Sequence, residues 1–203
     1  MEDTIFGQTS CIILSAGSSE RMGEPKALLK FSKDKTFIQK ITGTYVQCGV
    51  RQVIVVVNKE LYNTIQEREI LLVPEVQLVI NSFPEKGRFF SLQTGVHKLK
   101  PGNSCFFQNI DNPFTSDQVL TSLIQNQEGA DVIIPVFQSV SGHPVLINPA
   151  VVQKIIVQSD TEIRIDLFLK SFAYKKIEID ENRILTNINS PEDFMEAGLG
   201  KIE

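Results

Sequence analysis

The sequence predicts an α/β fold, a three-layer sandwich in which a mostly parallel sheet lies between helices. Three observations carry this expectation. Short apolar runs alternate with helix-period segments along nearly the whole chain. One run, residues 52–57 (QVIVVV), is almost continuously β-branched, the composition of a strand buried on both faces. Most helical stretches fall between two strand-like runs, as right-handed crossovers in a parallel sheet require. The 203 residues suit one domain over 1–203, and no internal repeat, low-complexity tract or linker divides them.

Taken in order, residues 11–15 form the first strand, ending in small residues. Thr36 caps a helix over 37–47 that stops at Cys48-Gly49. The 52–57 strand follows, then a helix over 60–69 and a third strand at 76–80 (VQLVI). A helix over 90–99 ends before Pro101-Gly102. Residues 104–108 (SCFFQ) form the fourth strand, and Ser116 caps a helix over 116–127. Strands at 132–136 and 145–147 precede helices at 149–158 and 165–171. A late strand at 175–179 and a helix over 191–198, with Pro191 in its first turn, close the chain.

Composition limits the partners. The hydrophobic fraction of 42% is enough for a packed core, and the net charge of −4 gives no general attraction to nucleic acid. No uninterrupted apolar run approaches a membrane span, so no membrane partner is expected. The first ten residues are polar and acidic, without the basic and apolar regions of a leader. The three cysteines, Cys11, Cys48 and Cys105, are odd in number and far apart, which points to reduced thiols and a cytoplasmic protein.

The most informative segment is 14–29, LSAGSSERMGEPKALL. Ser15, Ala16, Gly17, Ser18 and Ser19 carry almost no side-chain bulk, so their backbone N–H groups can approach a phosphate closely. Arg21 brings a planar fork and Lys26 a mobile point charge, with Pro25 stiffening the approach to Lys26. Such a loop is built to hold a polyphosphate. It lacks the Gly-Lys-Ser/Thr ending of a Walker A loop.

This segment resembles the LAAG-x-S-x-RMG-x-PK-x-LL loop of nucleotidyltransferases, with Ser15 where Ala is usual. The short spacing between Arg21 and Lys26 resembles that of the molybdenum cofactor cytidylyltransferases and their guanylyltransferase relatives. The resemblance runs from about residue 12 to residue 199. It implies a single nucleotidyltransferase domain with a Rossmann-like, glycosyltransferase-A-type fold. It also implies transfer of a nucleoside monophosphate, CMP from CTP, to a phosphorylated acceptor, molybdopterin, with release of pyrophosphate. Two alternatives stay open. One is a nucleotidyltransferase using GTP or a sugar-phosphate acceptor; the other is a non-catalytic nucleotide- or cofactor-binding protein. Transient contact with a molybdoenzyme or its chaperone is also implied.

Site residues follow by the same likeness. Leu14, Ser15, Ala16, Gly17 and Ser18, with Arg21 and Lys26, are expected to bind the nucleotide; Arg21, Lys26 and Asp111 are expected to be catalytic. Asp111, in Asp111-Asn112-Pro113 after the fourth strand, corresponds to the Asp of a D-x-P motif that holds Mg2+. Asn187 and Asn189 replace the acids of a D-I-D-T-P-E-D segment. They either complete the metal shell or form a turn and cap before Pro191, with Asp193 serving the helix dipole. Asn81, Gly87 and Ser91 match N-x5-G-x3-S, which lies against base and ribose. His143, in Gly142-His143-Pro144-Val145-Leu146, either contacts the acceptor or stabilises its loop. Asp160 and Arg164 match G-D-x-G-A-R with both glycines replaced; they either face the acceptor or pair with each other on a surface helix.

Overall fold

The computed structural model describes residues 5–199; residues 1–4 of the polar N-terminal stretch, and 200–203, lie outside the described residues. The strands are β1 (Thr9–Ser15), β2 (Val53–Val57), β3 (Val76–Ile80), β4 (Ser104–Asn109), β5 (Val132–Phe137), β6 (Val140–Ser141), β7 (Val145–Ile147) and β8 (Tyr174–Glu178). The helices are α1 (Phe37–Gln47), α2 (Lys59–Glu67), α3 (Gly87–Val96), α4 (Asp117–Gln125), α5 (Pro149–Val157), α6 (Ile165–Leu169) and α7 (Pro191–Glu196). Among the described residues the strands form one sheet in the order β3-β2-β1-β4-β7-β5-β6, with β8 also paired to β5.

The expected α/β sandwich is present. Strands β3, β2, β1 and β4 run parallel, as do β5 and β8. Two strands run against these: β7, lying antiparallel between β4 and β5, and the short β6, antiparallel to β5. Periodicity reports burial, not direction, so the sequence alone did not reveal this reversal. It also missed β6, which pairs with β5 through a two-residue turn. Gln138 and Ser139 in that turn both have positive φ, the geometry that suits a tight hairpin, without the Asn-Gly that usually announces it.

The two faces of the sheet explain the alternation in the sequence. Cys11 and Ile13 of β1 and Val53, Val55 and Val57 of β2 pack beneath α1, α2 and α4. Ile12, Leu14, Ile54 and Val56 point the other way, against α3, α5 and α6. Cys11 and Cys105 are buried thiols in these layers, Cys48 is half-buried, and all are free.

The chain moves outward from β1 to β2 and β3, then returns to the opposite side of β1 as β4. Ligands in open α/β sheets bind where strand order reverses in this way, beyond the carboxyl ends. Leu14 is paired with Asn109 in the β1–β4 ladder, so the loops that leave these two strands emerge side by side.

Gly95 of α3 meets the sheet most closely. A Cβ there would lie 2.9 Å from Ile12 Cγ2 and 3.0 Å from Val56 Cγ2. Gly95→Ala is expected to destabilise the protein by about 1–2 kcal/mol, overpacking partly offset by better helix propensity. A urea unfolding curve shifted to higher midpoint would contradict this packing.

Candidate active site

The phosphate loop is anchored by its apolar residues. Ala27, Leu28 and Leu29 are buried, and Met22 packs on the same core. They fix a 3-10 turn at Lys26–Leu28 that carries Lys26. Ser19 adopts positive φ, and its Oγ accepts from the Lys26 backbone N–H (3.3 Å), closing the loop. Asn58 caps α2 and donates from Nδ2 to Ala16 O (3.3 Å). Among the described residues no hydrogen bond engages the backbone N–H groups of Gly17 and Ser18.

A cavity of about 420 Å³ forms where this loop faces the end of β4. Of the residues expected around the nucleotide, Leu14, Ser15, Ala16, Gly17, Ser18, Arg21, Lys26 and Ser91 line it. Asp111 and Asn189 stand in the same wall. Lys26 Nζ donates to Asn189 Oδ1 at 2.7 Å and lies 3.4 Å from Asp111 Oδ2. An ammonium has three donors, so one remains for a phosphate oxygen.

Asp111 Oδ1 is buried and has no hydrogen-bond partner among the described residues. A carboxylate oxygen in that state fits a hard cation. No group of three His, Cys, Asp or Glu among the described residues could hold a metal by itself. A cation at Asp111 would therefore draw its other ligands from phosphate and water, the usual condition of Mg2+.

Several expectations resolve differently. Asn187 is not brought to this cavity; its Nδ2 donates to Leu185 O (3.3 Å), and it lines a separate hollow beside Phe114 and Arg183. Of the two amides expected at the metal, only Asn189 reaches this cavity, and its Oδ1 already accepts from Lys26 Nζ at 2.7 Å. Asp193, read as a helix-dipole residue, accepts from the backbone N–H groups of Asn189 (2.7 Å) and Ser190 (2.9 Å) and so fixes Asn189. These bonds, led by that from Asn189, hold the Asp193 carboxyl below its usual range.

Asn81 is buried rather than ligand-facing. Its Nδ2 donates to Ser91 Oγ (3.0 Å) and its Oδ1 accepts from Phe83 N (2.8 Å). It shapes the bend before α3, and Gly87, with φ of 88°, completes that bend. Gly87 lines a second, larger cavity of about 740 Å³ instead of the first.

His143 and Arg164 also line the larger cavity. Asp160 does not; its Oδ1 accepts from Glu162 N (3.1 Å) in a local turn. The expected Asp160–Arg164 helix pair is absent because α6 starts only at Ile165. Arg164 forks onto Asp166 instead, at 2.9 and 3.0 Å, on an exposed surface. Two residues given no role from the sequence, Arg88 and Asn109, line both cavities. Arg88 directly follows Gly87 inside the N-x5-G-x3-S spacing, and that position was the available signal.

The two cavities share one frame. Ile184 O accepts from both His143 N (3.1 Å) and Asn112 Nδ2 (3.1 Å), and Asn112 Nδ2 also donates to Thr186 O (2.8 Å). Ile188 N donates to Asp111 O (2.7 Å). A Cβ on Gly142 would lie 2.7 Å from Ile184 O, so glycine is required for this approach.

Residues 11–165 match the MobA-like NTP transferase domain. The chain belongs to this family. It is accordingly a nucleotidyltransferase. It is 25% identical to the molybdenum cofactor cytidylyltransferase of Escherichia coli K12 over 92% of this chain and 94% of that protein. A nucleotidyl transferase from Methanothermobacter superposes with a TM-score of 0.75 at 21% identity, covering 94% of this chain and 95% of its own. A Mycobacterium tuberculosis H37Rv protein solved in complex with manganese gives 0.75 at 16% identity, over 96% and 100% of the two chains. These structural likenesses speak to the fold. No helix among the described residues is long and apolar enough to cross a membrane.

Burial pushes the His143 ring below its usual range; the Asp111 charge opposes this and the Arg88 charge adds to it. With a depressed folded-state pKa, His143 contributes stability that is complete above about pH 6.5 and is lost as pH falls through the folded-state midpoint. An NMR titration of the His143 ring is expected to show a midpoint below 6.5. A midpoint above that value would refute the burial argument.

Proposed function

We propose that this family member transfers CMP from CTP to molybdopterin and releases pyrophosphate, using Mg2+. The observation that carries this reading is the placement of Lys26 and Asp111 at the mouth of the phosphate loop, in a cavity that meets a larger one. The larger cavity combines an apolar wall, including Phe89, Phe107 and Ile134, with cationic Lys86, Arg164, Lys170 and Lys176. Those surroundings suit an acceptor with a bulky body and a phosphate. The likeness to the Escherichia coli cytidylyltransferase and the Gly142–Leu146 segment favour CTP and molybdopterin.

The reaction follows from charge. An oxygen of the acceptor phosphate attacks the α-phosphorus of the nucleotide. The bond from that phosphorus to the bridging oxygen breaks, and the electron pair leaves with pyrophosphate. Loop N–H groups and Arg21 hold the β- and γ-phosphates, and Lys26 neutralises charge growing at the α-phosphate. Asp111, with Asn189 beside it, would hold Mg2+, which supplies charge neutralisation on the phosphate oxygens.

Lys26→Ala and Asp111→Asn are each expected to lower kcat/KM about 10²–10³-fold, roughly 3–4 kcal/mol of transition-state stabilisation. Pyrophosphate release measured with molybdopterin, CTP and Mg2+ tests this; near-wild-type rates in both variants would remove these residues from the chemistry.

Base choice is a separate test. A site that pairs cytosine leaves buried polar groups unmet by the wrong base, at about 1–3 kcal/mol each, so CTP should be preferred over GTP by more than about tenfold in kcat/KM. Competition at equal concentrations decides it. A preference for GTP would reject the cytidylyl assignment and leave the reaction class standing.

A further inference from the structure

We propose that Arg88 and Asn109 form the subsite for the acceptor's phosphate, holding a phosphate monoester dianion at the junction of the two cavities beside the α-phosphate it attacks. This rests on reading the smaller cavity as the triphosphate site. Among the described residues only these two line both cavities.

Their positions are fixed from behind. Arg88 is exposed, but the next residue, Phe89, is buried with its ring 5.0 Å from that of Phe168. On the other side, the Gly87 N–H donates to Pro84 O, and Ser91 Oγ donates to Gly87 O at 3.2 Å. Asn109 ends β4 opposite Leu14 and lines the smaller cavity with the start of the phosphate loop.

Several other cations of the two cavities are engaged by neighbouring groups, Lys86 among them, lying over the Phe83 and Phe90 rings at 4.8 and 5.0 Å. Lys26 is held by Asn189 and Asp111, and Arg164 is forked onto Asp166. Arg21 lines the smaller cavity and not the larger. Arg88 forms no ion pair with an acid among the described residues. It lines the larger cavity together with His143.

The chemistry needs a cation at this place. Attack brings a phosphate dianion against an α-phosphate that is itself anionic. A guanidinium fork can donate to two oxygens of the incoming phosphate, and the Asn109 amide adds a neutral donor to it. One oxygen–phosphorus bond forms as another breaks, and pyrophosphate carries away the electron pair. No proton acceptor is required from either residue.

The test uses the full chain loaded with Mg2+ and α,β-methylene-CTP, which cannot release pyrophosphate, and titrates inorganic phosphate by calorimetry. Arg88→Ala is expected to weaken phosphate binding by at least about tenfold while nucleotide affinity changes less than about threefold. Asn109→Ala should shift phosphate binding in the same direction by a smaller factor. Equal phosphate affinity in wild type and Arg88→Ala, no phosphate binding by loaded wild type, or a loss confined to the nucleotide would each overturn the assignment. Failure of wild type to bind the Mg2+–nucleotide analogue at all would show at the first step and would count against the triphosphate site itself.

Discussion

Lys26 ties together three segments that are remote in sequence. It stands on the loop after β1, its ammonium 2.7 Å from Asn189 and 3.4 Å from Asp111, at sequence separations of 163 and 85 residues. The unequal distances matter. The amide, which is neutral, is the tighter partner; the carboxylate is the looser one. A buried ion pair is poor evidence for stability, since desolvation offsets much of the attraction. Here the arrangement orients a cation without quenching it. An acid at position 189 would give Lys26 a second counter-charge and leave less positive potential for a phosphate. The asparagine that departs from the D-I-D-T-P-E-D pattern thus keeps Lys26 electrostatically available.

Behind this contact lies a buried polar network. Tyr45 and Thr115 hydroxyls each donate to Gln108 Oε1 at 2.7 Å, and Gln108 Nε2 donates to Asn112 O at 3.0 Å. Asn112 then reaches the carbonyls of Ile184 and Thr186. Each of these groups would be costly to bury unpaired, so each constrains the next. The result is that the turn carrying Asp111 and the segment leading to Asn189 cannot shift independently. Ile184 O extends the same restraint to His143 across the larger cavity.

The two cavities differ in how their charge is managed. In the smaller one, cations face an ordered loop whose small residues expose backbone. In the larger one, positive side chains are spread around an apolar wall, and one of them is matched to an acid on the surface. Two differently charged environments therefore meet at a boundary where few groups are shared. Chemistry at that boundary depends on placement more than on any special nucleophile.

Apart from the short β6, the sequence by itself determined the strand and helix succession, because burial on two sheet faces writes a period that can be read locally. It also marked a candidate phosphate loop, where small residues, Arg21, Pro25 and Lys26 lie within a single short segment. The start of α3 was read three residues late, since Gly87 lacks the side chain that would mark a helical turn. Only the tertiary structure decided that β7 runs antiparallel, that Asn81 is spent on Ser91, and that Asn187 and Asn189 face different cavities. It alone brought Arg88 to the boundary between the cavities. Strand direction, side-chain facing and the meeting of distant loops arise from pairing and packing across the chain, and these leave no periodic trace in the residues themselves.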